Sequence, residues 1–328
     1  MYTMPIKIQT DKGGLAMTTL VTGGAGFIGS NLVGDLLASG KDVIVLDNMT
    51  TGSRSNLANL QNPQNPQNPR NMTGKLNIIQ ASCNDLPGLD LNPEEIYHLG
   101  IPSSSPMYKK DPMLVGTAIN ESIAVFELAR KCHARVVYAS SSSLYNGISP
   151  PHKEDMQILV TDYYTEARLA IERIAELYKR LFDVGSVGMR FFSVYGPKED
   201  AKKKYANMVS QFLWDMRAGR VPVIYGDGSQ TRDFTYVKDV VRALVLAMGS
   251  GHYGILNVGT GVAYSFNDVI ELLNDRLGLN IGPKYIENPI KNYVGHTLAD
   301  TSRAKDVLGF EARFSLEKGL NDLLEYYK

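Results

Sequence analysis

The sequence is poor in residues that usually announce a function. Its 328 residues include only 2 cysteines, and Cys83 and Cys132 form no spaced framework, so a disulfide scaffold is not expected and a reducing, cytoplasmic setting fits. The 5 histidines are scattered without ligand spacing, and no metal site is expected. No run approaches the roughly 20 apolar residues that span a bilayer, and the opening segment lacks the apolar core of a secretory signal. Contact with a membrane is therefore not expected. Net charge is missing as well, since 34 Lys plus Arg offset 34 Asp plus Glu. A neutral chain has no bulk attraction for phosphate backbones, so nucleic acid is not an expected partner and any anionic ligand has to be met by local charge.

What is present is the composition of an ordinary globule, 44% hydrophobic and 21% charged, at a length that suggests two domain-sized units. Residues 1–15 carry no pattern and are expected to form a flexible extension. The repeat QNPQNPQNP from Gln61 to Pro69 blocks helix and central strand through its prolines and reads as a solvated loop. Elsewhere β-branched runs alternate with helical periodicity. Strands are expected at Thr18–Thr22, Asp42–Asp47, Asn77–Ala81, Glu95–Leu99, Arg135–Ser140 and Ser186–Phe192, and helices at Phe27–Ser39, Met113–Cys132 and Val160–Phe182. Such alternation gives an α/β fold with a doubly wound parallel sheet and a ligand at the carboxyl ends of its strands. After Gly196 the rhythm shortens, with helices expected at Tyr205–Ala218, Val237–Met248, Ser265–Leu277 and Ser315–Tyr327. The expected organisation is a sheet domain over 16–196 and a smaller C-terminal α/β region over 197–328.

The first strand runs into Thr22-Gly23-Gly24-Ala25-Gly26-Phe27-Ile28-Gly29. Glycines permit a tight turn there, and their lack of Cβ lets a pyrophosphate approach the free N–H groups that open the next helix. Gly23, Gly26, Phe27, Ile28 and Gly29 are the candidate cradle, in the strand-then-helix context that this spacing needs. The second strand ends in Asp47-Asn48, about 20 residues on, where a carboxylate accepts from both hydroxyls of an adenosine ribose and repels a 2′-phosphate. NAD is therefore expected over NADP. Arg54 lies close by in sequence but reads as a solvated loop residue.

Together with this loop, the segments VIVLDN from Val43, YHLG from Tyr97, YASSSSLYN from Tyr138, RFFSVYGP from Arg190, IYGDGSQTRDFTYVKDVV from Ile224 and LADTSRAKDVLGF from Leu298 resemble the extended short-chain dehydrogenase/reductase family, in its NAD-dependent nucleotide-sugar epimerase and dehydratase branch. The resemblance implies a Rossmann-type domain, bound NAD and a nucleotide-sugar substrate, with further cofactor contacts from Ser82, Cys83, Leu99 and Gly100. It also implies a catalytic Tyr with a Lys four residues on. Tyr164 and Arg168 stand in those places, at the i, i+4 spacing that shares one helix face; Tyr163 falls on another. A lysine would bind the nicotinamide ribose and favour the ionised tyrosine. Arginine supplies the charge, but it is larger, forks rigidly and surrenders no proton. Ser141 is then the serine that hydrogen-bonds the reacting hydroxyl. Ser142 and Ser143 stand where dehydratases carry Asp-Glu and where UDP-glucuronate decarboxylases carry a Glu at the second position. Elimination needs an acid and a base, and two serines supply neither.

On the substrate side, the resemblance makes Arg232 a clamp on a nucleotide diphosphate, Asn207 a phosphate or sugar contact, and the backbone from Val223 to Tyr225 a reader of the base. Ser193 stands where the family has Asn, Ser82 where it has an Asp facing the adenine amine, and Ile290-Lys291-Asn292-Tyr293 where it has Arg-x-Gly-Asp. Lys291 is the candidate replacement charge. Thr297 occupies a position near the sugar that is a large aromatic residue in some epimerases, which leaves room for a 2-acetamido group. The expected activity is epimerisation of a UDP-hexose or UDP-N-acetylhexosamine at C4 through a transient 4-keto sugar. A net-redox nucleotide-sugar dehydrogenase is one alternative, and a catalytically weakened NAD-binding protein, motivated by Arg168, is another. By the same resemblance, the helices over 113–132 and 160–182 would pair with their copies as the four-helix bundle of a homodimer. His98 and Trp214 read as packed residues without chemical roles.

Overall fold

The computed structural model describes residues 18–60, 73–289 and 293–328; residues 1–15, the QNP repeat and Lys291 lie outside the described residues. The strands are β1 (Thr18–Thr22), β2 (Asp42–Leu46), β3 (Leu76–Ile79), β4 (Glu95–His98), β5 (Arg135–Ser141), β6 (Ser186–Phe191), β7 (Val223–Tyr225), β8 (Thr231–Arg232), β9 (Gly254–Val258), β10 (Tyr264–Ser265) and β11 (Lys284–Ile286). The helices are α1 (Phe27–Ala38), α2 (Ser55–Ala58), α3 (Ser105–Lys110), α4 (Leu114–Cys132), α5 (Tyr163–Phe182), α6 (Met208–Arg217), α7 (Val237–Gly249), α8 (Phe266–Leu277), α9 (Ser302–Leu308) and α10 (Leu316–Tyr326). No helix among the described residues is long and apolar enough to cross a membrane.

Seven strands form one Rossmann-type sheet in the order β3-β2-β1-β4-β5-β6-β9. Its central members are β-branched and buried along both faces, as helices on two sides require; β6 is buried at every position. The register aligns Ile79, Leu46, Thr22, His98 and Tyr138 across five parallel neighbours. The segments that leave β3, β2, β1, β4 and β5 therefore emerge along one edge. The strand order runs outward from β1 to β3 and resumes at β4 on the other side of β1. This reversal is the switch point at which open α/β sheets receive a ligand.

The expected strands are trimmed or shifted by a residue or two, and α5 begins at Tyr163 rather than Val160. The cause is local: Asp162 caps the helix, its carboxylate accepting from Thr165 N at 2.8 Å while Thr165 Oγ1 accepts from Asp162 N at 3.1 Å. The pattern of the sequence does not mark α3, α9 or β9. In β9 a polar residue, Asn257, interrupts the apolar run, yet it is fully buried. Its amide accepts from Tyr145 Oη at 2.8 Å and donates to the His152 carbonyl at 2.9 Å. Paired on both sides, the amide avoids the cost of unmet burial.

The chain divides into two compact units. One holds the residues up to 139 with 162–188 and 247–254; the other holds 140–161, 189–246 and 255–328. The first is cored by Leu20, Val21, Val45, Ile96 and Val136. The second has its own core around Tyr195, Phe212, Phe234, Tyr236, Phe266 and Leu320. It also carries two small sheets, antiparallel β8–β10 and parallel β7–β11.

Candidate active site

In the first unit the loop after β1 is shaped by contacts that a side chain would destroy. Gly23 has φ +68°, and a Cβ on it would lie 2.6 Å from Gly100 Cα. A Cβ on Gly29 would overlap the Gly23 carbonyl oxygen. Gly26 caps α1 in extended backbone with no side-chain cap, so no capping side chain stands over the first turn of the helix. Donors without Cβ at the positive end of a helix fit a pyrophosphate.

Asp47, just past β2, is 6% exposed. Its Oδ2 accepts from Ala25 N at 2.9 Å and its Oδ1 from Met49 N at 2.8 Å, so the carboxylate is fixed against the glycine loop. Burial pushes this carboxyl above the usual range, and the backbone N–H groups oppose the shift. Asn48 bonds locally, its Oδ1 accepting from Thr50 N at 3.0 Å. Arg54 is exposed and donates to Gln80 at 3.0 Å, in keeping with a solvated residue. Beyond β3, Cys83 is buried, and burial first, then the Glu121 carboxylate, holds its thiol neutral. Its neighbour Ser82 caps a 3-10 turn and donates from Oγ to Glu121 Oε1 at 2.7 Å.

His98 links β4 to its neighbours as a neutral ring. Gly100 N donates to Thr22 Oγ1 at 3.2 Å, which lies 2.8 Å from His98 Nδ1. His98 Nε2 lies 3.0 Å from Ser122 Oγ, whose proton goes to the Ala118 carbonyl at 2.8 Å. Nε2 must therefore donate and Nδ1 accept. Burial, reinforced by the charge of Arg168, pushes the imidazole pKa down to about 3.

Tyr164 and Arg168 share one face of α5. The Tyr164 ring meets Tyr108 edge-on with centroids 5.5 Å apart, and the Arg168 guanidinium lies 5.0 Å from the Tyr164 centroid. Arg168 is 3% exposed. Its Nη1 donates to the Ala139 carbonyl and its Nη2 to the Pro102 carbonyl, both at 3.0 Å. The guanidinium thus ties the helix to the end of β5 and to the segment after β4. Tyr163 is half exposed on another face.

In the second unit, Ser141 Oγ accepts from Ser143 N at 3.1 Å, which leaves its own proton to donate. Asn207 caps α6 through Oδ1, accepting from Val209 N at 3.0 Å, and keeps its amide N–H groups. Arg232 donates to the carbonyls of Thr231 (2.8 Å), Gly295 (2.9 Å) and Val294 (2.6 Å). It lies over the rings of Phe266 and Tyr293 at 5.4 and 5.5 Å. No carboxylate pairs with it among the described residues, and burial lowers its pKa. Val223 and Tyr225 of β7 keep exposed side chains. Ser193 sits at φ +29° and its carbonyl accepts from Thr235 N at 3.3 Å. Thr297 is buried, its N–H on the Thr231 carbonyl at 3.1 Å and its hydroxyl unpartnered among the described residues.

Residues 19–259 match the NAD dependent epimerase/dehydratase family. The chain belongs to that family. A UDP-glucose 4-epimerase of Mycolicibacterium smegmatis is 34% identical over 95% of this chain and 99% of its own. UDP-glucuronic acid decarboxylase 1 of Arabidopsis thaliana is 30% identical over 98% of this chain and 72% of its own. A Thermotoga maritima UDP-glucose 4-epimerase, solved with UDP-glucose, superposes with a TM-score of 0.85 at 31% identity, covering 95% of this chain and 98% of that one.

As a member of the epimerase/dehydratase family the chain is NAD-dependent, and the cradle of Gly23, Gly26 and Gly29 with Asp47 fits that cofactor. Two residues that the resemblance implies for the site are already engaged within the protein. Both ends of the Arg168 guanidinium already hold backbone carbonyls, and the Ser82 hydroxyl already has a donor and an acceptor. Sequence reading misses Glu121, because a lone Glu in a helix reads as solvated, and notes Tyr293 only as a departure from the resemblance, without its contact to Arg232.

Proposed function

We propose that this family member is an NAD-dependent nucleotide-sugar 4-epimerase acting on a UDP-hexose or UDP-N-acetylhexosamine. The observation that carries the reading is the pair Tyr164 and Arg168, a tyrosine with a buried cation against its ring, combined with serines at 142 and 143 where elimination needs acid and base. NAD, when bound, supplies a reversible two-electron acceptor for the sugar carbon. Tyr164 takes the proton of the C4 hydroxyl and returns it to the 4-keto sugar after the sugar turns over. The Arg168 guanidinium, 5.0 Å from the ring centroid, fixes the orientation of the phenol. Ser141 donates to the sugar, Arg232 holds the diphosphate with Asn207, and β7 offers Val223 and Tyr225 to the base. Buried Thr297, in place of an aromatic wall, leaves room at the sugar end for a 2-acetamido group, and Lys291 is a further candidate for the diphosphate.

The same reading includes a cytoplasmic homodimer paired through α4 and α5. These helices lock together through Tyr178, which stacks on Phe126 at 5.2 Å and donates to Glu127 at 2.8 Å. They leave Ile123, Leu177, Leu181 and Phe182 exposed, an apolar surface that a second copy would cover.

Incubation with UDP-glucose, UDP-N-acetylglucosamine and UDP-glucuronate, followed by chromatography of the sugars, tests the activity. The expected products are 4-epimers with no net NADH. Released carbon dioxide and a pentose product would make the chain a decarboxylase, and accumulating NADH a net dehydrogenase.

A further inference from the structure

We infer that Glu121 is the residue that reads the adenine of NAD, in place of the acid missing at Ser82. The register places the segment after β3 beside Asp47: Ala81 N donates to the Asp47 carbonyl at 3.2 Å. A serine hydroxyl there has one proton and two acceptor sites. Ser82 Oγ sends its proton to Glu121 Oε1 at 2.7 Å and accepts from Asn84 N at 3.1 Å, while Ser82 N donates to Asp85 Oδ2 at 2.9 Å. Ser82 is thus consumed by the cap of its own turn and leaves no strong acceptor for an amine.

Glu121 supplies one. It is 4% exposed on α4, and Ser82 holds only one of its two oxygens; the other accepts no hydrogen bond among the described residues. A buried carboxylate with a vacant oxygen costs free energy unless a donor meets it. Asp47 meets Ala81 and Glu121 meets Ser82, so the two acidic residues flank adjacent positions of the one segment that leaves β3. A ligand suited to both presents donors and no negative charge. The adenosine half of NAD does this, with ribose hydroxyls for Asp47 and the exocyclic amine for Glu121. Ser82 is then a positioning residue for Glu121.

The test replaces the amine. Nicotinamide hypoxanthine dinucleotide carries a carbonyl oxygen where NAD carries the amino group, and so turns a donor into an acceptor facing the carboxylate. The protein is challenged with an equimolar mixture of the two, and the dinucleotide it retains is identified by mass spectrometry, a readout independent of turnover. Wild-type protein is expected to favour NAD by about tenfold to a hundredfold, the range for a hydrogen bond to a charged group. In Glu121→Gln, whose amide donates to the carbonyl, the preference is expected to shrink to about threefold or less. Ser82→Ala keeps the carboxylate and is expected to keep the direction of preference. A wild-type ratio near one overturns the inference without any variant, as does an unchanged ratio in Glu121→Gln. Loss of preference in Ser82→Ala alone would make Ser82 the reader.

Discussion

Arg168 in the first unit and Arg232 in the second invite comparison because so much of their setting is shared. Both guanidinium groups donate to backbone carbonyls, both lie over aromatic rings, and neither meets a carboxylate among the described residues. They differ in enclosure. Arg168 is sealed between the ends of two connected strands, whereas Arg232 is only partly covered, and its bonds run to its own strand and to Val294 and Gly295. A buried cation without a counter-ion is expensive. Where it is partly open, an anionic ligand relieves the cost; where it is closed, the charge fixes geometry and biases the protonation of a neighbour. Under the proposed function, one residue type thus serves binding in one unit and positioning in the other.

The largest test of the comparison is the phenol that Arg168 faces. Tyr164→Phe is expected to lower turnover by about a thousandfold, within the usual range for losing a general acid/base, with the retained NAD unchanged; a loss below tenfold in a steady-state assay would remove Tyr164 from the chemistry. Next comes the open cation. Arg232→Met is expected to raise KM for the nucleotide sugar by about tenfold to a hundredfold and to leave NAD content alone, and an unaltered KM would break the contrast.

The sealed cation should respond in a different measurement. Lysine carries its donors on one nitrogen and cannot reach two separated carbonyls as the two nitrogens of a rigid fork do. Arg168→Lys is therefore expected to leave Ala139 or Pro102 unmet and to cost about 1–3 kcal/mol, read as a lower urea midpoint. Greater turnover at an unchanged midpoint would mean that Arg168 impairs the site rather than building it.

The smallest effect sharpens the role of Arg168's charge through His98. The folded imidazole has a pKa near 3, below its ordinary 6.5, so between those values the unfolded chain binds the proton and the folded chain does not. The stability this neutral ring confers is complete above about 6.5 and is lost as pH falls toward 3, at up to about 1.4 kcal/mol per unit. Urea midpoints measured from pH 7 to pH 5 should fall more steeply in wild type than in His98→Gln. Equal slopes would mean that His98 does not carry the acid sensitivity.

Much of the fold is legible in the chain because its signals are local. The glycines after Thr22 answer to a turn and a close backbone approach, Asp47 follows from its place at the end of β2, and the helical periods read at 27–39, 113–132 and 160–182, which the structure trims by one to three residues, follow from burial of one face. β9 escapes because Asn257 looks like a breaker until Tyr145 and His152, distant in sequence, meet its amide. The candidate site divides likewise. Tyr164 is announced by its segment. The meaning of Arg168 is not, since the sequence offers a lysine's substitute while the structure gives its guanidinium two carbonyls from two other strand ends.

By itself the sequence determined the cradle, the preference for NAD implied by Asp47, the family and the position of the tyrosine proposed as the acid/base, all properties of short segments whose backbone geometry the residues themselves dictate. The tertiary structure alone decided which donors and acceptors were already satisfied: that Ser82 spends its hydroxyl on its own turn and on Glu121, that Arg168 is a tether, and that Arg232 meets carbonyls and rings but no carboxylate among the described residues. A hydrogen bond depends on distance and direction between groups that can be far apart in the chain. Spacing along the sequence carries no record of either.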